Sequence, residues 1–335
     1  MRRTVLTAML VVCSYGTAFG QQAGDRVLVS VEAAVLRSQT ATAGTVPKGT
    51  LLSVRDVNGE WLWVYYQSGT KLTKGWLSRK DTVPLNEALN FVQAELQRQP
   101  SAELYNVRGT IYFERGAYDQ SLADCNEAIR LDATRPYFWN NRGNVWRAKG
   151  EQVKAINDFN QAARLDPDYQ VAYKNRGNVW ADRGQFDKAI ADYDAAIQLL
   201  PTDADAFNNR GSMRMQKGEY EKAIADWKES MRLDPGSPQA YNNLAWLFAT
   251  CPDESHRNPK FALELATRAC ELGKWKNAGS LDTLASVYSA LGDHENAVKW
   301  QQKAVELAPE AKKANYRKTL EQYQSAQAGS ASELK

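Results

Sequence analysis

PYFWNNRGNVWRAKGEQVKAINDFNQAARLDPDY, residues 136–169, runs directly into QVAYKNRGNVWADRGQFDKAIADYDAAIQLLPTD, residues 170–203. Laid one over the other, these thirty-four-residue blocks match glycine at Gly143 and Gly177, and again at Gly150 and Gly184. They also match Ala155 with Ala189, Ala162 with Ala196, and Pro167 with Pro201. The register extends outward through Gly109 and Gly211, Gly116 and Gly218, Ser121 and Ala223, Ala128 and Ser230, then Pro235 and Ala245. A fixed period of this length marks an array of supersecondary units, each burying its apolar face against its neighbours. Tyr105, Trp139, Tyr173, Phe207 and Tyr241, with Tyr112, Trp146, Trp180 and Phe248, fall at helical spacing and are expected in the core. Glycine inside a helix costs about 1 kcal/mol. Its recurrence predicts a close approach of the paired helix at those points.

The pattern of aromatic, small, aromatic, small and proline positions resembles the tetratricopeptide repeat (TPR). That resemblance implies helix-turn-helix units stacked into an all-α superhelical solenoid. Six units are expected: 102–135, 136–169, 170–203, 204–237, 238–272 with an insertion around Cys251–Pro259, and 278–309, the last marked by Ala285, Gly292, Ala297, Ala304 and Pro309. Solenoids need capped ends. Residues 85–101 read as a connecting and capping helix, 310–324 as a C-terminal capping helix, and the small polar residues 325–335 as a disordered tail.

Ahead of the repeats the pattern changes to short apolar alternations, Val27-Leu28-Val29, Leu51–Val54 and Trp61–Tyr65, which read as strands. Asn58-Gly59 between two of them is a hairpin signal. Residues 24–84 resemble the bacterial SH3-like family in Leu36-Arg37-Ser38, the Val46–Thr50 turn, Gly59-Glu60-Trp61 and the closing Gly75-Trp76-Leu77. The resemblance implies a small all-β barrel of five or six strands that binds cell-wall peptides or partner proteins. Trp61, Trp63 and Trp76 are read as core rather than groove, and Lys48, Lys71, Lys74, Arg79 and Lys80 as a solvated basic tint. Residues 1–20 read as a signal peptide, with Arg2 and Arg3, the apolar run Val5–Cys13 and Ala18-Phe19-Gly20. The apolar run is too short to span a bilayer, which needs about 20 residues. The expected location is therefore exported, periplasmic or secreted.

Composition excludes more than it assigns. A net charge of +3, from 42 cations against 39 anions, argues against nucleic acid as partner. Two histidines and four scattered cysteines leave no metal-ligand pattern, and neither a phosphate loop nor a GxSxG elbow is present. No cofactor and no catalytic residue are expected. Asp253, Glu254, His256 and Arg257 mix ionisable groups in the insertion, without a nucleophile in register, and read as a solvated loop.

Two further ladders remain. Arginine precedes each of the first four ladder glycines, and aspartate follows it sixteen residues on: Arg108 and Asp124, Arg142 and Asp158, Arg176 and Asp192, Arg210 and Asp226. The units with Leu244 and Leu284 carry Leu265 and Trp300 in place of the aspartate. Such internal covariation predicts a structural ion pair between the two helices of each unit. Asparagine recurs at Asn141, Asn175, Asn209 and Asn243. An amide both donates and accepts, so a row of them can hold an extended peptide by its backbone. The resemblance places that row on the concave groove, flanked by Asn140 and Asn144 or by Lys174 and Asn178. Asparagines bonding to loops of neighbouring repeats are the alternative. The reading is a non-catalytic scaffold or adaptor of the cell envelope, its groove binding extended peptide or a helix and its SH3-like module attaching to a partner. A peptidoglycan-binding factor that recruits a wall enzyme is the other reading.

Overall fold

The computed structural model describes residues 26–333 apart from 31–32, 39–41, 48–49 and 69–70; the expected leader over 1–20 lies outside the described residues. The chain divides into two compact units, the first ending at Asp132 and the second beginning at Ala133.

The first unit opens with strands β1 (Arg26–Val29), β2 (Ala33–Arg37), β3 (Thr42–Pro47), β4 (Leu51–Asn58), β5 (Trp61–Ser68), β6 (Lys71–Ser78) and β7 (Thr82–Pro84). They form one seven-stranded sheet in the order β3-β2-β6-β5-β4-β1-β7. The expected barrel is not found: among the described residues the sheet is open, with β3 and β7 as its edges. Both edges end in proline, Pro47 and Pro84, which has no N–H to donate to a further ladder. The β4–β5 hairpin pairs Asn58 with Trp61, so its two loop residues are Gly59 and Glu60. Gly59 has φ +57°, and glycine at the first central position suits a II′ turn better than the Asn-Gly turn expected one residue earlier.

Side chains alternate across a strand. Leu62, Val64, Leu36, Leu77, Val27, Val29 and Val54 meet in the sheet's core. The register pairs Trp61 with Ser78 and Trp63 with Trp76, on the opposite face, where all three tryptophans are half-buried rather than core. Leu28 points away from Val27 and Val29 into a second cluster with Ala88, Val92 and Leu96 of α1 (Leu85–Arg98) and Ile111 of α2 (Ala102–Glu114). Three consecutive β1 residues are buried because that strand is covered on both sides. Arg26 of β1 pairs with Glu114 of α2, and α3 (Tyr118–Leu131) closes this unit.

The second unit is helical throughout: α4 (Pro136–Ala148), α5 (Gln152–Leu165), α6 (Gln170–Asp182), α7 (Phe186–Leu199), α8 (Ala204–Gln216), α9 (Tyr220–Leu233), α10 (Pro238–Thr250), α11 (Pro259–Leu272), α12 (Ala278–Ala290), α13 (His294–Leu307) and α14 (Glu310–Glu333). Asp203, Asn258, Asn277 and Asp293 cap four of these helices by accepting from a backbone N–H in the first turn. The ladder glycines sit where the paired helix comes closest. A Cβ on Gly143 would lie 2.7 Å from the Phe159 ring, and one on Gly177 2.9 Å from the Tyr193 ring. In the first unit the facing residue is the smaller, fully buried Cys125, and a Cβ on Gly109 would find its nearest atoms at 3.3 Å.

The last three helix pairs share one apolar cluster that includes Trp227, Leu244, Ala245, Leu265, Leu281 and Leu284. α14 runs on to Glu333, so most of the tail expected to be disordered from Ser325 is helix. Ala326 and Ala328 are strong helix formers, and the segment contains no proline to stop the turn.

Candidate functional site

The asparagine row lies on the first helix of successive pairs, and the structure turns it into a chain of bonds between those helices. Asn175 Nδ2 on α6 donates to Asn140 Oδ1 on α4 at 2.8 Å. Asn209 Nδ2 on α8 donates to Asn178 Oδ1 on α6 at 3.1 Å. Asn243 Nδ2 on α10 donates to Asn208 Oδ1 at 3.0 Å and to Ser212 Oγ at 3.4 Å, both on α8. Neighbouring amides close the pattern sideways, Asn140 Nδ2 to Asn141 Oδ1 at 3.4 Å and Asn208 Nδ2 to Asn209 Oδ1 at 3.2 Å. Asn144 is half-buried on α4, one turn from Asn140 and Asn141. Lys174 does not reach outward: its Nζ is 2.6 Å from Asp203 Oδ2, which also accepts from Gln170 Nε2.

Three members of this network lie outside the expected row and its flanks: Asp203, Asn208 and the Tyr193 hydroxyl, which donates to Asn178 Oδ1 at 2.7 Å. The recurring Asn-Asn pairs at 140–141, 208–209 and 242–243 are the trace that points to Asn208. At the last pair the chain of bonds ends. Asn242 Oδ1 is buried without a partner, because the following repeat carries Thr283 where an asparagine would stand. Along the row Asn175, Asn209 and Asn243 each spend an N–H on the preceding repeat, while the carbonyl oxygens of Asn175 and Asn243 are not used by these bonds. A side-chain amide has two N–H donors and two lone pairs, so capacity for a ligand's peptide group remains.

The arginine ladder is bidentate in all four units. Arg108 holds Asp124 at 2.7 Å through Nε and through Nη2. The corresponding distances are 2.8 and 2.7 Å for Arg142 with Asp158, 2.9 and 2.6 Å for Arg176 with Asp192, and 3.0 and 2.6 Å for Arg210 with Asp226. All four aspartates are buried. Each guanidinium also lies over the aromatic ring three residues before it, from 4.8 Å at Trp139 to 5.5 Å at Tyr105. Hydrogen bonds donated to Asp124 and Asp192 raise the pKa of Arg108 and Arg176 against the opposing pull of desolvation. A third contact reaches the preceding repeat: Arg176 Nη1 to Asn160 Oδ1 on α5 and Arg210 Nη1 to Asp194 Oδ1 on α7, each 2.6 Å. The ladder is thus committed within the protein.

The insertion is pinned rather than loose. His256 Nε2 lies 2.8 Å from Glu221 Oε1 on α9, its Nδ1 3.3 Å from Asp253 Oδ2, and its ring 5.4 Å from that of Tyr220. Among the described residues no group of three or more histidine, cysteine or carboxylate side chains is placed to hold a metal. No helix there is long and apolar enough to cross a membrane.

Family models described as TPR repeat match residues 109–146, 177–213 and 211–250, and others described as tetratricopeptide repeat match 136–169 and 278–310. These segments are tetratricopeptide repeats. Among solved structures the TPR fold recurs in a chain of the APC/C hetero-tetramer Cut9-Hcn1, with 18% identity and TM-score 0.59 over 73% of this chain and 47% of that one. Yeast Tom70 has 17% identity and TM-score 0.55 over 72% and 50%. A tetratricopeptide repeat protein from Parabacteroides merdae has 18% identity and TM-score 0.52 over 72% and 92%. At these identities the likeness is one of fold, and the match spans about half the length of the first two chains. No curated protein matches this chain.

Proposed function

We propose that this TPR chain is a non-catalytic interaction scaffold, an exported adaptor whose first-helix row holds an extended peptide. The β-sheet region, read as a divergent SH3-like module, attaches to a second partner. The observation that carries this reading is the asparagine row, in which Asn175, Asn209 and Asn243 stand at one register position on successive helices and keep part of their hydrogen-bonding capacity. Successive helices pack about 8–10 Å apart, a step that an extended chain covers in about three residues. Asn144 and Asn178 flank the row on the same face. Lys174, already paired with Asp203, contributes by orienting the row rather than by meeting the ligand.

The test is quantitative affinity capture from cell-envelope extract, comparing the protein with a variant carrying Asn141, Asn175, Asn209 and Asn243 all changed to Ala. Because these amides also tie repeats together, thermal unfolding is followed in parallel. Partners lost at unchanged helicity support the reading. The same partners captured by a folded variant refute it and leave the row a purely structural device.

A further inference from the structure

On the face of the sheet away from its core, Arg37, Ser38, Asn58, Trp61 and Trp76 line an open cavity of about 210 Å³. We propose that this cavity takes the C-terminal residue of a partner polypeptide, its side chain against Trp61 and Trp76 and its terminal carboxylate on Arg37. The proposal is independent of the helical row.

Charge decides the sign of the ligand. Among the described residues Arg37 is the one charged residue lining the cavity; it is exposed and has no ion-pair partner there. Its guanidinium carbon stands 5.3 Å over the Trp61 ring. That stack uses the flat face of the group and leaves its N–H edge free to take a carboxylate in a two-point fork. Size decides how much ligand enters. Pockets for drug-sized molecules start at about 300 Å³, so this one holds a single side chain with its carboxylate. An acidic residue within a chain would need a groove open at both ends; a chain end supplies carboxylate and terminus together. Asn58, exposed at the end of β4, offers an amide to the last peptide group.

The site is also held in shape. Trp63 and Trp76 meet edge to face, with centroids 5.1 Å apart. Arg37 is paired across the ladder with Trp76, and the backbones there are so close that a Cβ on Gly75 would lie 2.9 Å from Arg37 O. Tryptophan and arginine in a preformed pocket are the residue types that dominate binding energy at interfaces.

The experiment uses the full chain with nitrogen-15-labelled tryptophan, following indole N–H signals. Those of Trp61 and Trp76 are assigned by Trp61→Phe and Trp76→Phe. The probes are acetyl-Gly-Gly-Phe with a free carboxylate, the same peptide amidated, acetyl-Phe and inorganic phosphate. Saturable shifts of both signals are expected with the free-acid peptide. Amidation, or Arg37→Gln in the protein, is expected to weaken binding at least about tenfold, the weight of a charge-assisted hydrogen bond. Arg37→Gln should not change the melting temperature, since Arg37 is exposed. Absence of saturable shifts at about 10 mM peptide overturns the proposal. Acetyl-Phe, which carries the same side chain, carboxylate and last amide, is expected to bind comparably; equal binding of the amidated peptide, or an equal response to phosphate, which would mark a general anion site, also overturns the proposal.

Discussion

Replacing Asp192 by alanine should cost the repeats around it about 2–3 kcal/mol, and replacing Arg176 and Asp192 together by leucine should return most of that loss. Removing one partner of a fully buried pair costs about 3–5 kcal/mol, because the other charge is left without compensation. The Arg176 side chain is 21% exposed and its partner 9%, so some water reaches the guanidinium and the lower figure applies. Arg176 would also keep Asn160 and the Tyr173 ring. The double change reproduces a pair that the chain already contains, since Leu244 and Leu265 occupy the same two positions and are 0% and 6% exposed. Swapping an ion pair for packed apolar groups is often neutral. The assay is hydrogen exchange across α6 and α7 in mild urea, because solenoids lose stability repeat by repeat rather than all at once. The reasoning fails if the double variant is as unstable as the sum of the single ones. A coupling below about 0.5 kcal/mol is what an exposed pair gives.

Gly143→Ala should destabilise by about 1–3 kcal/mol through overpacking, because the added carbon would lie 2.7 Å from the fully buried Phe159 ring. Gly109→Ala, which meets Cys125 at 3.3 Å, should cost clearly less once about 1 kcal/mol of helix propensity is regained; paired thermal melts check both. Burial pushes the Cys270 thiol up to about 12, and Cys125 and Cys251 are equally enclosed. All three should resist alkylation at pH 8 in the folded chain and react after denaturation, as site-resolved mass spectrometry would read. Glu221 is held below the ordinary carboxylate range by its own backbone N–H and by His256, and Asp253 by Ser255 and His256. A lowered native pKa contributes stability above the unfolded value that is lost as pH falls through the native one. The insertion should therefore loosen on the acid side of about 4.5, read by exchange of the amides at 253–258.

The helical repeats were legible because their cause is periodic: a glycine facing a large ring, an arginine facing an aspartate, repeated until the register could not be mistaken. The third contact of Arg176 and of Arg210 was not, since Asn160 and Asp194 are single polar residues among many on helix faces, and only the packed neighbour distinguishes them. The asparagine row was legible as a row, but its use of the preceding repeat depends on amide direction, which spacing does not carry. In the sheet, strand positions followed from alternation. Closure did not, because it turns on whether two edges ending in Pro47 and Pro84 can pair. For the outward tryptophans alternation predicts a core place, because it assigns faces without saying which face is covered. Small polar composition predicts a disordered C-terminal tail, yet a helix already under way continues through alanine and glutamine until something stops it.

The contact that Arg176 and Arg210 each make with the repeat before them works as a plug in a socket. Asn160 and Asp194 are sockets on α5 and α7; the equivalent position on α9 is Lys228, and the residue that would plug into it is Leu244. A copy of the repeat spanning 170–203 inserted after residue 203 would find a matching socket on both sides. The same copy inserted after residue 237 would bring Arg176 against Lys228, two like charges at one joint. The array is therefore extensible at one end of its polar block and sealed at the other, so duplication could lengthen it only on one side of that joint.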